Sequence, residues 1–382
     1  MHLNHLGITQ LSPQPGFIDL GMGNPDLDLL PLELIRQSAQ VYFASDDHRP
    51  LQYGKEQGDG YFRRALARFL STAYGKPVGR EHLFVTNGAS SALALLCSLY
   101  TQPGDVVFVE EPTYFLALRI FADDRLKVVP VPMDDDGLRL DELDRLLKTY
   151  QPKFVYTIPT FQNPSGRTLI QSRREGLVER ARRHNFLIIA DEVYHLLPYT
   201  QEPPDPFALF AQQAEQVVSV NSFSKILAPG LRLGWVQAHD QVIERLTGSG
   251  LLDSGGGMNP FVSALLRALI ESDELSAHIA RLRDEYAHRL GAMDAALQQY
   301  LPQAEYVRPQ GGFFFWVRFP GVDGESLRQK GRDFDIGLRQ GALFSSQREL
   351  EDTVRLSFSY YSTDQIELGI KRLSDCLNTM KG

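Results

Sequence analysis

Short apolar segments rich in β-branched residues alternate with segments of helical periodicity along residues 82–221. The apolar segments are HLFVT (82–86), DVVFVE (105–110), KVVPV (127–131), KFVYTI (153–158), FLIIAD (186–191) and VVSVN (217–221). The helical segments between them are 90–100, 138–150 and 172–185. Continuous apolar strands are typical of parallel sheets that are buried on both faces. The alternation therefore predicts an α/β fold, in which helices cover both faces of a mostly parallel sheet.

The alternation of strand-like and helical segments ends at about residue 260. Residues 262–300 have helical periodicity almost throughout, and the stretches 311–319 and 353–360 look like strands without the same alternation. This change predicts a smaller α+β domain toward the C-terminal end.

Charge and cysteine content exclude several classes of function. The net charge is −8 and the pI about 5.6, which argues against a nucleic-acid partner. The two cysteines, Cys97 and Cys376, are too few for a disulfide framework or a zinc cluster and fit a reducing compartment. Residues 1–16 lack the apolar run of a signal peptide, and no stretch approaches the ~20 apolar residues of a membrane span. We expect a cytoplasmic enzyme without a membrane partner.

Ligands of open parallel sheets bind beyond the carboxyl ends of the strands, so the residues that follow each strand are the candidates for a site. NGASSA (87–92) follows HLFVT and opens a helix. Gly88 permits a tight turn, and the free N–H groups at the helix start favour an anion. The alternative is that these residues only form a turn and cap the helix, without binding a ligand.

Two further strands end in polar residues. Asp191 ends FLIIAD, and a buried carboxylate requires a partner. Asn163 lies in PTFQNPSG (159–166), where the following Pro164 restricts its backbone. Taken singly, the aspartate could cap a helix or form a structural ion pair, and the asparagine could serve only the turn.

Lys225 follows VVSVN within SFSKILAPGLR and has no charged neighbours for several residues on either side. Desolvation lowers the pKa of a lysine from about 10.4 and makes its amine nucleophilic. That is the chemistry of a lysine that forms a Schiff base. The alternative is a lysine whose amine extends to water.

Four motifs in this order, NGASSA, PTFQNPSG, ADEVY (190–194) and SFSKILAPGLRLGW (222–235), resemble the class I/II pyridoxal 5′-phosphate (PLP) aminotransferases of fold type I. The resemblance spans about residues 18–375. SGGGMNPF (254–261) and LQYG (51–54) are most similar to the branch of 2-aminoadipate and aromatic aminotransferases.

The resemblance implies a large domain with a mostly parallel seven-stranded sheet flanked by helices, plus a smaller α+β domain. It places an N-terminal arm and small-domain segment at 1–45, the large PLP-binding domain at 46–280 and a C-terminal small domain at 281–382. It implies a transaminase that moves an amino group from an L-amino acid to a 2-oxo acid, through an internal aldimine on Lys225. The catalytic residues would be Lys225, Asp191 and Tyr194.

Further roles follow from the same resemblance. Asp191 would pair with the pyridinium nitrogen, while Asn163 and Tyr194 would bind the phenolic oxygen. The phosphate would be bound by Gly88, Ala89, Ser90, Ser222, Ser224 and Arg232. Tyr114 would stack on the cofactor ring, and Tyr53 would reach the phosphate of the neighbouring subunit of a homodimer. The substrate would be bound by Arg355, Asn163 and Gly23.

Alternatives stay open within PLP chemistry, because lyases, decarboxylases, racemases and oxidases or hydroxylases of this fold keep the same lysine and aspartate. A PLP-sensing regulator would need a DNA-binding domain, which we do not expect here because the aminotransferase pattern begins by about residue 18 and the chain is acidic. Ser222-Phe223-Ser224-Lys225 also fits S-x-x-K, but its companions S-D-N and K-T-G do not occur. The motifs offer no arginine for a second, distal substrate carboxylate, so a dicarboxylic preference is not predicted.

Overall fold

The computed structural model describes residues 9–10 and 14–380. Residues 1–8 and 11–13 of the predicted N-terminal arm, and 381–382 of the predicted small domain, lie outside the described residues. The strands are β1 (Ile18–Asp19), β2 (Leu83–Thr86), β3 (Val106–Glu111), β4 (Lys127–Asp134), β5 (Gly137–Leu138), β6 (Phe154–Thr157), β7 (Leu187–Asp191), β8 (Val217–Ser222), β9 (Gly234–Ala238), β10 (Glu305–Tyr306), β11 (Phe314–Arg318), β12 (Ile336–Gly337), β13 (Arg339–Gln340) and β14 (Thr353–Ser357).

The helices are α1 (Leu32–Ala44), α2 (Gly60–Tyr74), α3 (Ala89–Tyr100), α4 (Phe115–Asp123), α5 (Leu140–Leu147), α6 (Gln171–His184), α7 (Phe207–Ala211), α8 (Asp240–Thr247), α9 (Gly250–Gly255), α10 (Pro260–Glu271), α11 (Glu274–Tyr300), α12 (Gly324–Gly331) and α13 (Thr363–Met380). The predicted helices at 90–100 and 172–185 match α3 and α6 within one residue. The helix predicted at 138–150 is shorter, because Gly137 and Leu138 form β5 in a hairpin with β4.

The central sheet has the strand order β2-β9-β8-β7-β6-β3-β4-β5 in the described part of the chain. The strands β8, β7, β6, β3 and β4 run parallel to one another. The strand β9 lies antiparallel between β2 and β8, and β5 is antiparallel to β4. All six strands predicted from the apolar segments are present. The mostly parallel α/β sheet is thus confirmed, and its eighth strand is the two-residue β5 at the edge.

Side chains along the central strands alternate between two apolar cores, one on each face of the sheet. On β3, Val107 and Val109 enter one core and Phe108 enters the other. On β6, Tyr156 and Val155 divide in the same way. Burial on both faces explains why these strands are apolar at successive positions instead of alternating with polar residues.

The C-terminal part of the described chain has a separate antiparallel sheet of order β10-β11-β14-β13. The predicted helical run 262–300 is two helices, α10 and α11, separated at Ser272 and Asp273. The N-terminal strand β1 pairs in parallel with β12, so the start of the described chain packs with its C-terminal part. The predicted boundary at residue 280 falls inside α11, and the division into domains stays a prediction.

None of the helices in the described part of the chain has the length and apolar character needed to cross a membrane.

Candidate active site

A cavity of about 940 Å³ lies beyond the carboxyl ends of β6, β7 and β8, between the central sheet and the C-terminal sheet. Twelve of the predicted site residues line it: Gly23, Ala89, Ser90, Tyr114, Asn163, Asp191, Tyr194, Ser222, Ser224, Lys225, Arg232 and Arg355. Gly88 lies directly before the helix start at its wall. Parallel strands bring their carboxyl ends to one edge of a sheet, which is why residues so distant in sequence meet here.

The Lys225 amine lies in the turn after β8 and faces the cavity. Its Nζ donates to the backbone carbonyl of Gly23 at 3.0 Å and lies 5.4 Å from the centre of the Phe313 ring. Burial and, to a smaller extent, the cation of Arg355 lower the pKa of Lys225 from 10.5 to about 8, against the opposing effect of Asp191. Near pH 8 a substantial fraction of this amine is therefore neutral and able to act as a nucleophile.

Asp191 is the last residue of β7 and is 8% exposed. Its Oδ2 accepts a hydrogen bond from the Tyr156 hydroxyl at 2.8 Å, while Oδ1 is buried without a hydrogen-bond partner among the described residues. Burial raises the pKa of Asp191 to about 6, and the Tyr156 hydroxyl and the nearby Val193 N–H oppose that rise. A buried oxygen without a partner is costly unless a ligand supplies the donor.

The start of α3 and Arg232 form a cluster of hydrogen-bond donors at the cavity wall. Gly88 has φ of +90°, and a Cβ at this position would lie 2.8 Å from Nη2 of Arg232. Glycine thus lets the guanidinium lie against the backbone that leads into the helix. Arg232 donates to the carbonyls of Asn87 and Pro229, each at 3.1 Å. The first N–H groups of α3 have no partner within the helix, so the cluster is suited to an anion.

Two hydroxyl groups extend this cluster at the end of β8. The Ser222 hydroxyl donates to the Ser224 hydroxyl at 2.8 Å, and the Ser224 N–H donates back to Ser222 at 3.1 Å. The pair lies directly before Lys225 and brings hydroxyl donors to the same wall as Arg232.

Arg355 lies on β14 and is 4% exposed. Two hydrogen bonds and two aromatic rings hold its guanidinium group in place. Nη1 donates to Oδ1 of Asn163 at 2.9 Å, and Nη2 donates to the carbonyl of Gly21 at 2.8 Å. The guanidinium carbon lies 4.0 Å from the centre of the Phe314 ring and 5.0 Å from that of Phe344. This arrangement holds the planar group in one orientation, as recognition of a carboxylate by two parallel hydrogen bonds requires.

Two tyrosines complete the wall around Asp191. Tyr114 immediately precedes α4, and Tyr194 packs edge-on against Phe313 and Phe314. Burial raises the pKa of Tyr114 to about 12 and raises that of Tyr194 further, so both hydroxyls stay protonated at neutral pH.

Tyr53 is the predicted residue that this chain does not bring to the cavity. Its side chain is 79% exposed, and it is not among the lining residues. Other large apolar side chains are exposed nearby in sequence, on or beside α1 and α2: Val41, Phe43, Leu51 and Tyr61.

Sequence reasoning missed several residues of the site. Tyr156 and its neighbour Thr157 both carry hydroxyl groups on the buried strand β6, and a tyrosine at such a position was the available signal. Gly21, Phe314 and Phe344 contact Arg355 from remote parts of the chain and carry no comparable signal.

Comparison with known proteins decides the family. The sequence pattern of the family described as aminotransferase class I and II matches residues 15–373. The chain belongs to this family. It is a PLP-dependent aminotransferase of fold type I, which acts on amino acids and 2-oxo acids.

Individual relatives agree with this assignment. An aromatic-amino-acid aminotransferase from Thermococcus litoralis is 33% identical over 94% of this chain and 88% of its own length. A 2-aminoadipate transaminase from Thermus thermophilus is 27% identical over 97% of this chain and 92% of its own. The structure of a kynurenine aminotransferase from Pyrococcus horikoshii, in complex with PMP, KYN and KYA, superposes with a TM-score of 0.90. It is 29% identical and the match covers 98% of this chain and 96% of that one. The resemblance to the 2-aminoadipate and aromatic branch is thereby confirmed.

The described residues fit the cofactor of the family. The partnerless Oδ1 of Asp191 offers an acceptor for a ring N–H, and the donors around Gly88 and Arg232 match a phosphate. Lys225 provides a partly neutral amine in the same cavity.

Proposed function

We propose that the aminotransferase binds pyridoxal phosphate covalently at Nζ of Lys225 and carries out its reaction in this cavity. The observation that carries the proposal is that a partly neutral lysine amine and a buried aspartate oxygen without a partner line the same cavity. When bound, the cofactor supplies an electron sink for bond changes at the substrate Cα.

The role proposed for each protein group is the one that the family resemblance implies, and its position in the cavity supports that role. Asp191 accepts the ring N–H and keeps that nitrogen protonated, while Asn163 and Tyr194 bind the phenolic oxygen. Tyr114 packs on the ring. The phosphate is bound by the start of α3 at Gly88, Ala89 and Ser90, and by Ser222, Ser224 and Arg232. Lys225 moves the proton at the substrate Cα once its amine is free, because a pKa near 8 lets it both accept and release a proton at neutral pH.

The substrate carboxylate binds to Arg355, with Asn163 and Gly23 beside it. We expect that Arg355→Gln raises the KM for amino acids about 100-fold, since truncating one partner of a buried charge pair typically costs 2–5 kcal/mol. Arg355→Lys keeps the charge but loses the fork, so we expect an intermediate KM. The matched control is Arg318→Gln, an exposed arginine on the neighbouring strand β11. Steady-state kinetics that gave an unchanged KM for Arg355→Gln would remove this residue from the substrate site.

The pKa of Lys225 predicts how cofactor uptake depends on pH. Only the neutral amine reacts with an aldehyde, so the rate of uptake by the apoenzyme should rise about tenfold per pH unit below pH 8 and level off above it. Uptake is measured by stopped-flow absorbance. The control is pyridoxamine phosphate, which lacks the aldehyde and should show no inflection near pH 8. A rate for pyridoxal phosphate that kept rising to pH 10 would mean that the reacting lysine is not desolvated.

A panel of amino acids with 2-oxoglutarate and with pyruvate tests the proposed reaction. The keto acid formed from the donor and the amino acid formed from the acceptor are measured separately. We expect the two products in equal amounts. A keto acid or amine that formed without a matching amino-acid product would instead identify an oxidase, lyase or decarboxylase.

We further propose a cytoplasmic homodimer in which Tyr53 reaches the phosphate site of the partner subunit. The exposure of Tyr53, Val41, Phe43 and Leu51, which are close in sequence, supports this assembly, because contact with a partner subunit would cover these large apolar side chains. Cys97 and Cys376 are both free, which supports a reducing compartment. A mass of one chain in sedimentation at micromolar concentration would contradict the dimer.

We also propose that the large PLP-binding domain spans residues 46–280, between the N-terminal segment 1–45 and the C-terminal small domain 281–382.

A further inference from the structure

A second arginine, Arg339, lies opposite Arg355 in the C-terminal sheet. Arg339 on β13 and Arg355 on β14 are direct cross-strand partners in an antiparallel pair. Side chains of such partners lie on the same face of the sheet, and both residues line the cavity. Like charges directly opposite each other destabilise a sheet, so this pairing calls for anions that compensate it.

Within the described chain, Asp19 is the anion that contacts Arg339. Nη1 and Nη2 of Arg339 lie 3.3 and 3.2 Å from the two carboxylate oxygens of Asp19. The side chains are 34% and 21% exposed, so the pair is partly solvated and its contacts are long for a charge-assisted hydrogen bond. Replacing Asp19 by another carboxylate as the partner of Arg339 therefore costs little free energy.

Gly21 separates the two arginines. Its carbonyl accepts from Nη2 of Arg355 at 2.8 Å, and a Cβ on Gly21 would lie only 2.6 Å from Nη1 of Arg339. Its N–H donates to Oδ1 of Asp19 at 2.9 Å, which leaves Asp19 with a partner even without Arg339. A single small residue therefore lies between two guanidinium groups that face one cavity.

The other charged groups of the cavity do not compete for this role. Lys225, Asp191 and Arg232 belong to the proposed cofactor site, and Arg332 and Asp335 lie exposed at the rim. Arg339 is partly buried, and the proposed function assigns no role to its charge.

We infer that Arg339 binds a second, distal carboxylate of the substrate, which takes the place of Asp19, so that dicarboxylic amino acids and 2-oxo acids are preferred. The inference rests on the proposed function, because it assumes that the substrate's first carboxylate is on Arg355. It also changes the expectation from the sequence, in which no motif offered an arginine for this purpose.

The test compares L-glutamate with L-norvaline, which has a side chain of similar length without the carboxylate. The readout is the ratio of their kcat/KM values in the cofactor-loaded enzyme. We expect Arg339→Gln to lower this ratio about 10- to 100-fold, as loss of a charge-assisted hydrogen-bonded pair does. Arg339→Lys should restore part of it, and Asp19→Asn should raise it because the competing carboxylate is gone.

The matched control is Arg332→Gln, which removes the same charge from the rim of the cavity. We expect its ratio to equal that of the wild type. The inference is overturned if Arg339→Gln leaves the ratio unchanged, if Arg332→Gln lowers it equally, or if the wild type uses norvaline but not glutamate. These outcomes differ from failure of the proposed function, in which neither substrate is turned over or loss of Lys225 has no effect.

Discussion

Replacement of Lys225 by alanine is expected to abolish transamination and to leave no cofactor that borohydride can fix to the protein. The lost proton transfer alone accounts for about 10²- to 10⁴-fold in kcat, and loss of the covalent attachment adds to it. Single-turnover absorbance measures the rate, and mass spectrometry after reduction measures the attached cofactor.

A matched control exists in Lys153, an exposed lysine directly before β6 that pairs with Asp105. Lys153→Ala removes the same kind of side chain just before a strand that leads to the site, and it should keep both activity and labelling. If Lys225→Ala retained a reducible cofactor and full turnover, Lys225 would not be the attachment residue.

Replacement of Asp191 by asparagine is expected to lower kcat about 10²- to 10³-fold while the cofactor still binds. The side chain keeps its shape, but a neutral amide cannot stabilise a protonated ring nitrogen, and loss of one preorganised electrostatic partner typically has this effect. The phosphate donors around Gly88 and Arg232 are unchanged, so cofactor affinity should fall far less than kcat. Equilibrium dialysis and steady-state kinetics separate the two quantities.

Tyr156→Phe provides a graded comparison for Asp191. The hydroxyl of Tyr156 favours the charged carboxylate, so its loss should raise the pKa of Asp191 further. Asp191 would then lose its charge at a higher pH, and the acid limb of the kcat profile should move to higher pH. A near-normal kcat for Asp191→Asn, or an unshifted profile for Tyr156→Phe, would contradict the role of this carboxylate.

The sheet could be predicted because its strands are buried on both faces and are therefore apolar at most successive positions. The strand β9 was missed for a local reason. It begins at Gly234, next to the glycine- and arginine-containing turn after Lys225, and it lies antiparallel, which strand–helix alternation does not predict. The break between α10 and α11 falls at Ser272 and Asp273, residue types that are favoured at helix N-caps, and this signal was missed between two strongly helical segments.

The core of the site could be predicted because parallel strands bring their ends together. Asp191 ends a strand and Asn163 and Lys225 follow one. This position made them candidates, and the resemblance to the family assigned their roles. Arg339 could not be found in this way, since it lies on a two-residue strand of another sheet and meets Asp19 across 320 positions of sequence. Such contacts depend on how the C-terminal sheet packs over the cavity, and sequence periodicity carries no information about that packing.

The central claim is that Lys225 holds the cofactor, and peptide mapping of the wild-type enzyme tests it most directly. The purified protein is loaded with pyridoxal phosphate, reduced with borohydride, digested and analysed by mass spectrometry. We predict that the phosphopyridoxyl group is found on the peptide that contains Lys225. A label on another lysine, or no label on a protein that still transaminates, would contradict the account.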